Sequence, residues 1–391
     1  MEKNLKFLRW YLFYSAMWPM SSVIILYFQG ITGSYASAMF VYSLSSLTQT
    51  LMELPSGIIS DKFQRKHVLI LTSLCLFSSF LFWALAGATS SIICLVIGSL
   101  LAGLNQALTS GTIEAFIFET VQSLPKEQQN FAKAYSKINT FSQVGLGLGS
   151  LFAALFLWHF SMRALAWFCT IPAALAFIQA LCFTEPQRLY TRKSLSSFSS
   201  LLIALRRFKR NKNLSFFAFI RILESSVEVT IHRFEAAYFK SLISESLIAL
   251  IRVFKQIFGA FGFYLFSFIS KHNPLKTYKL SLLLNTFFRT LAVLLNNTLT
   301  PFFMAFINLF YGPTTTTSTA ILQQNFSAQQ RATLHSLLSL ASGFMVVLMM
   351  WVLGFMADMF SPQTAILSAV IFKILTVLCP LLFKGKKHAE K

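Results

Sequence analysis

The stretch Gly57-Ile-Ile-Ser-Asp-Lys-Phe-Gln-Arg-Lys-His67 places one acid and three fixed cations between two long apolar runs. Apolar segments long enough to cross a bilayer as a helix, about 18 residues or more, recur along the whole chain. They lie at residues 10–29, 36–58, 68–88, 91–117, 138–159, 163–183, 214–239, 245–269, 278–296, 299–322, 333–357 and 363–383. The pattern predicts an all-α membrane protein with twelve transmembrane helices.

The composition supports this prediction. Of the 391 residues, 55% are hydrophobic and only 12% are charged, whereas soluble domains carry roughly a quarter charged residues. The net charge of +20 raises the question of a nucleic-acid partner. The cations, however, lie in short gaps between apolar segments and not on a folded polar surface. We therefore expect no nucleic-acid partner.

The cations also predict the orientation. If the N-terminus is cytoplasmic, the inner segments hold nearly all of the Lys and Arg residues, and the outer segments hold only Arg163 and Lys240. The positive-inside rule then places both termini in the cytoplasm. The surplus positive charge follows from this topology and attracts anionic lipids of the inner leaflet. We interpret the first apolar run as an uncleaved span, because it has no small-x-small cleavage site.

One long polar break divides the chain. Residues 184–213 form a basic segment with a Ser-rich patch, and six predicted spans lie on each side of it. The predicted organisation is an N-terminal six-helix bundle at 1–183, a cytoplasmic central loop at 184–213, and a C-terminal six-helix bundle at 214–391. Two such halves are typical of transporters that hold substrate where the halves meet.

The segment between the second and third spans resembles the major facilitator superfamily signature G-x-x-x-D-[RK]-x-G-[RK]-[RK]. The matching residues are Gly57, Asp61, Lys62, Arg65 and Lys66. Gln64 stands where the signature has Gly. Residues 53–57, 110–119 and 331–336 are similar to segments of the bacterial drug-exporter-like members, so the resemblance extends over essentially the whole chain. It implies the twelve-helix major facilitator fold in a bacterial inner membrane.

The resemblance also implies a cytoplasmic latch. In this family the Asp, here Asp61, accepts hydrogen bonds from the free N–H groups of a neighbouring helix N-terminus. The basic residues pair with acids at other helix ends, and we expect Arg65 to pair with Glu119. Arg331, at the start of the eleventh span, belongs to the same latch. The alternative is that the basic residues only enforce topology.

Two family features are incomplete. The loop at residues 270–278, where the second copy of the signature is expected, lacks both the Asp and the Gly. The fifth span contains Gly145-Leu-Gly-Leu-Gly149 without a following Pro, so the Gly-Pro signature of proton-driven exporters is incomplete. This weakens the interpretation of the chain as an antiporter.

The seventh span carries a polar stripe. At about 100° per residue, its ionisable side chains fall on one face. They are Arg221, Glu224, Glu228, His232 and Glu235. Arg252 and Lys255 share a face of the eighth span. We expect Glu228 near the depth of Lys255, and Glu235 near Arg252. One interpretation is structural ion pairs. The other is that Glu228, assisted by His232, binds a coupling proton.

Further polar residues are candidates for the substrate cavity, because family helices one, four, seven and ten surround the central path. These are Tyr14, Asn105 and Asn308. Arg289 and Lys373 have no acid on their own spans, so they reach acids of other helices, snorkel, or attract an anionic substrate. Gly312-Pro313 predicts a kink or gate in the tenth span.

The sequence contains no G-x-S-x-G, P-loop or H-E-x-x-H motif, and its five cysteines form no C-x-x-C or Cys/His cluster. We expect a monomer with no enzymatic activity, metal or cofactor. The predicted function is proton-coupled export of a small amphipathic compound such as a drug, an antimicrobial peptide or a siderophore. The alternative is proton-linked or facilitated uptake of a nutrient or organic anion. A third hypothesis is a non-transporting membrane receptor.

Overall fold

A computed structural model describes residues 2–125, 131–186, 212–269, 274–324 and 328–382. Within these ranges the chain is helical and contains no strand. It forms two compact units. The N-terminal unit comprises Met1–Lys193 with Ser244–Leu250, and the C-terminal unit comprises Ser194–Ile243 with Ile251–Lys391. The predicted central loop lies almost entirely outside the described residues, so its boundaries stay a prediction.

The described helices of the first unit correspond to the first six predicted spans. They are α1 (Glu2–Ala16), α2 (Ile24–Thr32), α3 (Tyr35–Lys62), α4 (Arg65–Thr89), α5 (Ile92–Thr109), α6 (Thr112–Gln122), α7 (Phe131–His159) and α8 (Met162–Leu181). A 3₁₀ turn at Pro19–Ser22 separates α1 from α2, since proline cannot continue a helical hydrogen-bond ladder. Gly111, with φ of 76°, separates α5 from α6 in a left-handed conformation that glycine adopts without steric cost.

Serine residues begin three helices of this unit. The Ser34 hydroxyl accepts a hydrogen bond from the N–H of Ser37 at 3.1 Å, at the start of α3. Ser91 and Ser161 cap α5 and α8 in the same way. Each cap satisfies one of the N–H groups that a helix leaves unpaired at its N-terminus. Local sequence therefore fixes where these helices begin.

The glycine stretch of α7 allows close contact with α1 and the turn that follows it. A Cβ atom at Gly145 would collide with the backbone carbonyl of Phe13, and one at Gly149 would lie 3.1 Å from the backbone N of Trp18. Small residues at such positions let helix backbones approach closely in membrane proteins. The glycines of the fifth span therefore have a packing role in this structure.

We expect Gly145→Ala to lower the free energy of unfolding by about 1–3 kcal/mol, because the colliding atom belongs to the backbone and cannot rotate away. Thermal unfolding can be followed by the reaction of a thiol dye with buried Cys75 and Cys169. The matched control is Gly30→Ala, since no described atom lies within 4 Å of a Cβ built there. Equal unfolding temperatures for the two variants would contradict this prediction.

The remaining described helices correspond to the last six predicted spans. They are α9 (Lys212–Phe239), α10 (Glu245–Ile269), α11 (Pro274–Leu295), α12 (Thr300–Phe306), α13 (Tyr311–Gln324), α14 (Ala328–Met359) and α15 (Pro362–Leu382). Helix α9 packs against α14 and α15, and α11 packs against α13 and α15. Helix α15 therefore contacts both α9 and α11, which brings polar side chains of the three helices together.

The tenth predicted span is interrupted where Gly312-Pro313 predicted a kink. A 3₁₀ segment at Ile307–Phe310 separates α12 from α13. Pro313 has no N–H for the helical ladder. The Thr314 and Thr317 hydroxyls donate to the carbonyls of Phe310 and Pro313 at 2.8 and 2.6 Å. Hydroxyl groups thus satisfy backbone carbonyls near the interruption, and its role as a gate stays a prediction.

Seven helices in the described part of the chain are long and apolar enough to cross a membrane. They are Arg65–Thr89, Ile92–Gln122, Ala134–His159, Met162–Leu181, Glu245–Leu265, Leu275–Leu295 and Leu337–Met359. Large apolar side chains such as Ile93 and Trp158 are 72% and 71% exposed, as expected of a surface that faces lipid. The count of twelve spans and the cytoplasmic position of the termini stay predictions.

Candidate functional site

The charged residues that the structure describes as buried all lie in helices α9, α10, α11 and α15. They are Glu224, Glu235, Lys255, Arg289 and Lys373. Glu228 joins them with a side chain 15% exposed. Each of the three carboxylates forms an ion pair with a nearby cation. The polar stripe predicted on the seventh span is thus the acidic part of a buried ionic network.

Glu228 binds two cations from two different helices. Its Oε1 accepts a hydrogen bond from Arg289 Nη2 of α11 at 2.5 Å, and its Oε2 accepts one from Lys373 Nζ of α15. Lys373 also donates to Asn285 Oδ1 of α11 at 2.5 Å. We refer to Glu228, Asn285, Arg289 and Lys373 as the Glu228 cluster. Here one carboxylate serves two buried cations.

The sequence left three alternatives for Arg289 and Lys373, and the structure brings both to an acid of another helix. The side chain of Lys373 is 0% exposed and that of Arg289 is 5% exposed. Charges this far from water require partners. Neither residue snorkels to the surface in this structure.

A second polar stripe, on α11, was not recognised from the sequence. Tyr278, Ser281, Asn285 and Arg289 follow one another at intervals of three or four residues, and all four are buried. Ser281 accepts a hydrogen bond from the Thr314 hydroxyl at 3.0 Å. The helical spacing of these residues could have indicated Asn285 as a partner of the Arg289 region.

Lys255, expected near the depth of Glu228, forms its ion pair with Glu235. Lys255 Nζ donates to both carboxylate oxygens of Glu235 at 2.6 Å. Glu235 lies two helical turns beyond Glu228, a distance of about 10 Å along α9. The expected depths rest on a register of the two helices taken from the ends of the apolar segments. That register is set by packing, which those ends do not determine.

His232 contacts the same ion pair. Its Nδ1 lies 2.5 Å from Lys255 Nζ and 3.2 Å from Glu235 Oε1. An ammonium group can only donate, so the closer contact makes Nδ1 an acceptor and leaves the proton on Nε2. The side chain is 40% exposed. His232 therefore accepts from Lys255 at the accessible side of the pair.

The other α9 candidates pair with each other. Arg221 and Glu224 form an ion pair at an i, i+3 spacing, and Glu224 is 3% exposed. Arg252 lies one turn before Lys255 on α10 and is half-buried. These contacts agree with the interpretation of structural ion pairs for this end of the stripe.

Three cavity candidates make contacts within their own unit. Asn105 donates to the carbonyl of Thr72 at 2.9 Å, which links α5 to α4. Asn308 donates to the carbonyl of Lys255 at 2.7 Å. Tyr14 stacks on Trp10 with a centroid distance of 5.9 Å. A role in lining the substrate cavity stays a prediction for all three.

The expected ion pair of the signature segment is present. Arg65 Nε lies 3.4 Å from Glu119 Oε1, and the guanidinium also donates to the carbonyl of Ser60 at 2.6 Å. The Ser60 and Thr112 hydroxyls are hydrogen-bonded at 2.8 Å. These contacts join the end of α3, the start of α4 and α6 within the N-terminal unit.

Glu185 completes this network and was not predicted. Its carboxylate accepts hydrogen bonds from the N–H groups of Arg65 and Lys66 at 2.8 and 2.7 Å, so it caps α4. A carboxylate at a helix N-terminus is favoured by the unpaired N–H groups and the helix dipole. Glu185 lies 120 residues from Arg65, and no local pattern connects the two.

At two positions of the signature the structure shows no steric need for glycine. Gln64 has φ of −62° and ψ of 135°, an extended conformation open to any residue, so a glycine is not required there. No described atom lies within 4 Å of a Cβ built at Gly57. The side chains of Asp61 and Arg331 lie outside the described residues. Lys62 is exposed, and the latch itself stays a prediction.

The chemistry of the network is that of ion pairing. Within the described residues, no group of three His, Cys, Asp or Glu side chains could hold a metal ion. The Glu228 cluster contains N–H donors and one carboxylate. Such a site can bind an anion or a proton.

The fold is shared with transporters of known structure. A single-residue variant of the nucleoside transporter NupG has a TM-score of 0.81 at 16% identity, covering 97% of this chain and 99% of that one. A bacterial homologue of the human lysosomal transporter Spinster has a TM-score of 0.73 at 17% identity, covering 97% and 96%. A D-xylose-proton symporter has a TM-score of 0.73 at 14% identity, covering 99% and 98%.

At sequence identities of 14–17%, the likeness to these three structures shows a shared fold and nothing more. No curated protein matches the chain. The Major Facilitator Superfamily matches residues 10–227, which is more than half of the chain. The chain therefore belongs to the Major Facilitator Superfamily and is a multi-pass membrane protein that acts as a secondary transporter.

Proposed function

We propose that this transporter carries a small organic anion together with a proton. The observation that supports this proposal is the Glu228 cluster, in which one carboxylate faces two buried cations. Within this cluster two cations face one carboxylate. An anionic substrate would offset the remaining positive charge.

Stability alone does not account for such a cluster. Replacing buried ion pairs by well-packed apolar residues is often neutral or stabilising. Charged groups at bilayer depth cost at least about 2.5–3.5 kcal/mol each on insertion scales. A surplus buried cation has this cost without a paired acid of its own. Its presence favours a role in binding.

The proton gradient is the proposed energy source, and the bacterial inner membrane is the proposed location. The chain has no recognisable nucleotide-binding motif, so its energy comes from a gradient. Glu228 is the proposed proton carrier because it is the carboxylate on which both cations converge. One of the proteins of similar fold is named a D-xylose-proton symporter. Substrate and proton then move in the same direction, by alternating access.

We regard export of an amphipathic compound as the less favoured function. It was predicted from the resemblance to drug-exporter-like members. The proteins of similar fold reported above are named for nucleosides, a lysosomal transporter and D-xylose with protons. The glycine stretch that resembles part of the antiporter signature packs against α1. Buried cations also disfavour the cationic compounds that many exporters carry.

The test uses the purified chain in proteoliposomes with an imposed pH gradient. The panel contains labelled mono- and dicarboxylates, nucleosides, sugars and cationic drugs. We expect uptake of a carboxylate when the outside is acidic. Arg289→Gln should weaken this uptake roughly 30-fold or more, since truncating a buried charge partner costs about 2–5 kcal/mol. Lys276→Gln, an exposed cation at the start of α11, should leave it unchanged.

Arg289→Lys is included because it keeps the charge and should retain part of the uptake. Transport of cationic drugs but of no anion would refute the proposal and favour export. Equal effects of Arg289→Gln and Lys276→Gln would remove the Glu228 cluster from the transport site.

A further inference from the structure

We infer that Glu228 is a built-in occupant of the anion site: a substrate carboxylate replaces it between Arg289 and Lys373, and the displaced Glu228 carries the coupled proton. This inference deepens the proposed function and rests on it. It names the site, the class of ligand and the number of protons that move with each anion. It also explains why one acid faces two cations.

The geometry of the cluster matches a carboxylate ligand. Each oxygen of Glu228 binds a different cation, Arg289 through Nη2 and Lys373 through Nζ. A substrate carboxylate has the same two oxygens at the same separation. Asn285, already bound to Lys373 at 2.5 Å, holds the ammonium group in position when either carboxylate is present. The anion site formed by Arg289, Lys373 and Asn285 therefore keeps its geometry when a substrate carboxylate replaces Glu228.

Two hydrogen-bond donors beside this anion site have no partner among the described residues. Arg289 Nε is buried and has no hydrogen-bond partner among the described residues. An arginine that binds a carboxylate with its full fork uses two parallel N–H groups, whereas Glu228 contacts only Nη2. The Thr286 hydroxyl, one turn before Arg289, is also buried without a partner in the described chain. A ligand oxygen would satisfy donors that Glu228 leaves unpaired.

The exposure of the cluster indicates which member can leave. The side chain of Glu228 is 15% exposed, compared with 5% for Arg289 and 0% for Lys373. The two cations are thus held inside the bundle, and the carboxylate lies on the more accessible side. An incoming anion meets Glu228 first and displaces it sideways. The cations stay in place.

Glu228 is surrounded mainly by cations and neutral groups. Helix α14 packs against α9. In the part of α14 whose side chains are described, the one titratable residue is Asp358, in the last turn. The groups that face Glu228 or flank it are Lys373 from α15, Arg289 from α11, Lys255 from α10, Tyr311 from α13, and Arg221, Glu224 and His232 on α9 itself. Glu224 and Glu235 have their own cations. Glu228 is therefore the acid whose release leaves cations available.

Displacement by an anion explains how a proton becomes coupled. While both cations hold it, the Glu228 carboxylate keeps its charge. A carboxylate that loses its cations but stays away from water binds a proton, because burial disfavours the charged form. The cluster carries one net positive charge before the exchange and one after it, with the anion bound and Glu228 neutral. One proton therefore accompanies one monoanion, and transport is electroneutral.

The experiment compares two transport modes in proteoliposomes, with the labelled carboxylate that the wild-type protein accumulates. A pH gradient should drive wild-type accumulation by about tenfold per pH unit, as one coupled proton requires, and a membrane potential alone should drive none. Glu228→Gln keeps the shape of the side chain but cannot bind the proton. We expect it to exchange labelled for unlabelled carboxylate at any pH and to lose accumulation. Glu114→Gln, an exposed acid of the N-terminal unit, should behave like the wild type.

The outcomes separate this inference from the proposed function. Accumulation by Glu228→Gln equal to that of the wild type would overturn the inference and leave anion transport intact. Loss of both exchange and accumulation, in a variant that melts normally, would also overturn it, since both cations are then available. A wild-type protein that moves no anion would refute the proposed function itself.

A binding assay tests the same site without relying on transport. Glu228→Ala removes the carboxylate between Arg289 and Lys373, and acetate is small enough to take its place. Acetate should raise the melting temperature of Glu228→Ala more than that of the wild type, where Glu228 competes for the site, and should have no effect once Arg289→Gln is added. A Glu228→Ala protein that does not respond to acetate would overturn the inference.

Discussion

Replacing Glu228 by leucine is expected to lower the free energy of unfolding by about 3–5 kcal/mol, more than replacing either of its cations. Leucine leaves Arg289 and Lys373 buried without their shared acid. Two like charges then lie close together in a medium of low dielectric constant. The cost of an uncompensated buried charge exceeds that of a lost hydrogen bond.

Lys373→Met gives the comparison. Glu228 remains bound to Arg289, and the main losses are the hydrogen bonds to Glu228 and to Asn285 Oδ1. Leaving a buried acceptor unsatisfied costs about 1–3 kcal/mol. We therefore expect Lys373→Met to be the milder change, although Lys373 is the more deeply buried residue.

The measurement is unfolding of the purified variants in mixed micelles, followed by far-ultraviolet circular dichroism. Lys276→Met serves as the control, since this lysine is exposed and surface changes usually stay within about 0.5 kcal/mol. A larger loss for Lys373→Met than for Glu228→Leu would show that the two cations do not depend on one acid.

Replacing Lys255 by methionine is the second change for which a loss of about 3–5 kcal/mol is expected. Lys255 donates to both oxygens of Glu235, whose side chain is 10% exposed. Methionine resembles the aliphatic part of lysine, so the packing is kept and the charge is lost. The loss of stability therefore measures the cost of leaving the Glu235 carboxylate buried without its cation.

The double variant Lys255→Met/Glu235→Leu should recover most of this stability, because it removes the stranded charge together with its partner. His232, which contacts both residues at 2.5 and 3.2 Å, stays in place in each variant. The same unfolding assay gives the coupling energy from the double-mutant cycle. If the losses of the single variants simply add in the double variant, Lys255 and Glu235 do not stabilise one another.

The sequence by itself determined the helical character of the chain, the superfamily and the polar face of α9. These features depend on local spacing: apolar runs of bilayer length, a signature within eleven residues, and acids repeated at helical intervals. The pair of Arg65 and Glu119 also followed from the resemblance, and it is present at 3.4 Å. The break near Gly312-Pro313 was foreseen for a local reason, since proline lacks the N–H of the helical ladder.

Only the tertiary structure decided which charges meet. Arg289 and Lys373 lie 61 and 145 residues from Glu228, and Glu185 lies 120 residues from the helix start that it caps. Lys255 pairs with Glu235, whereas the ends of the apolar segments had indicated only that Lys255 lies near the depth of Glu228. Residue spacing within a helix fixes the face on which a side chain lies. Its partner on another helix depends on how closely and in what register the helices pack, as the glycines of α7 illustrate, and this is a property of the whole bundle.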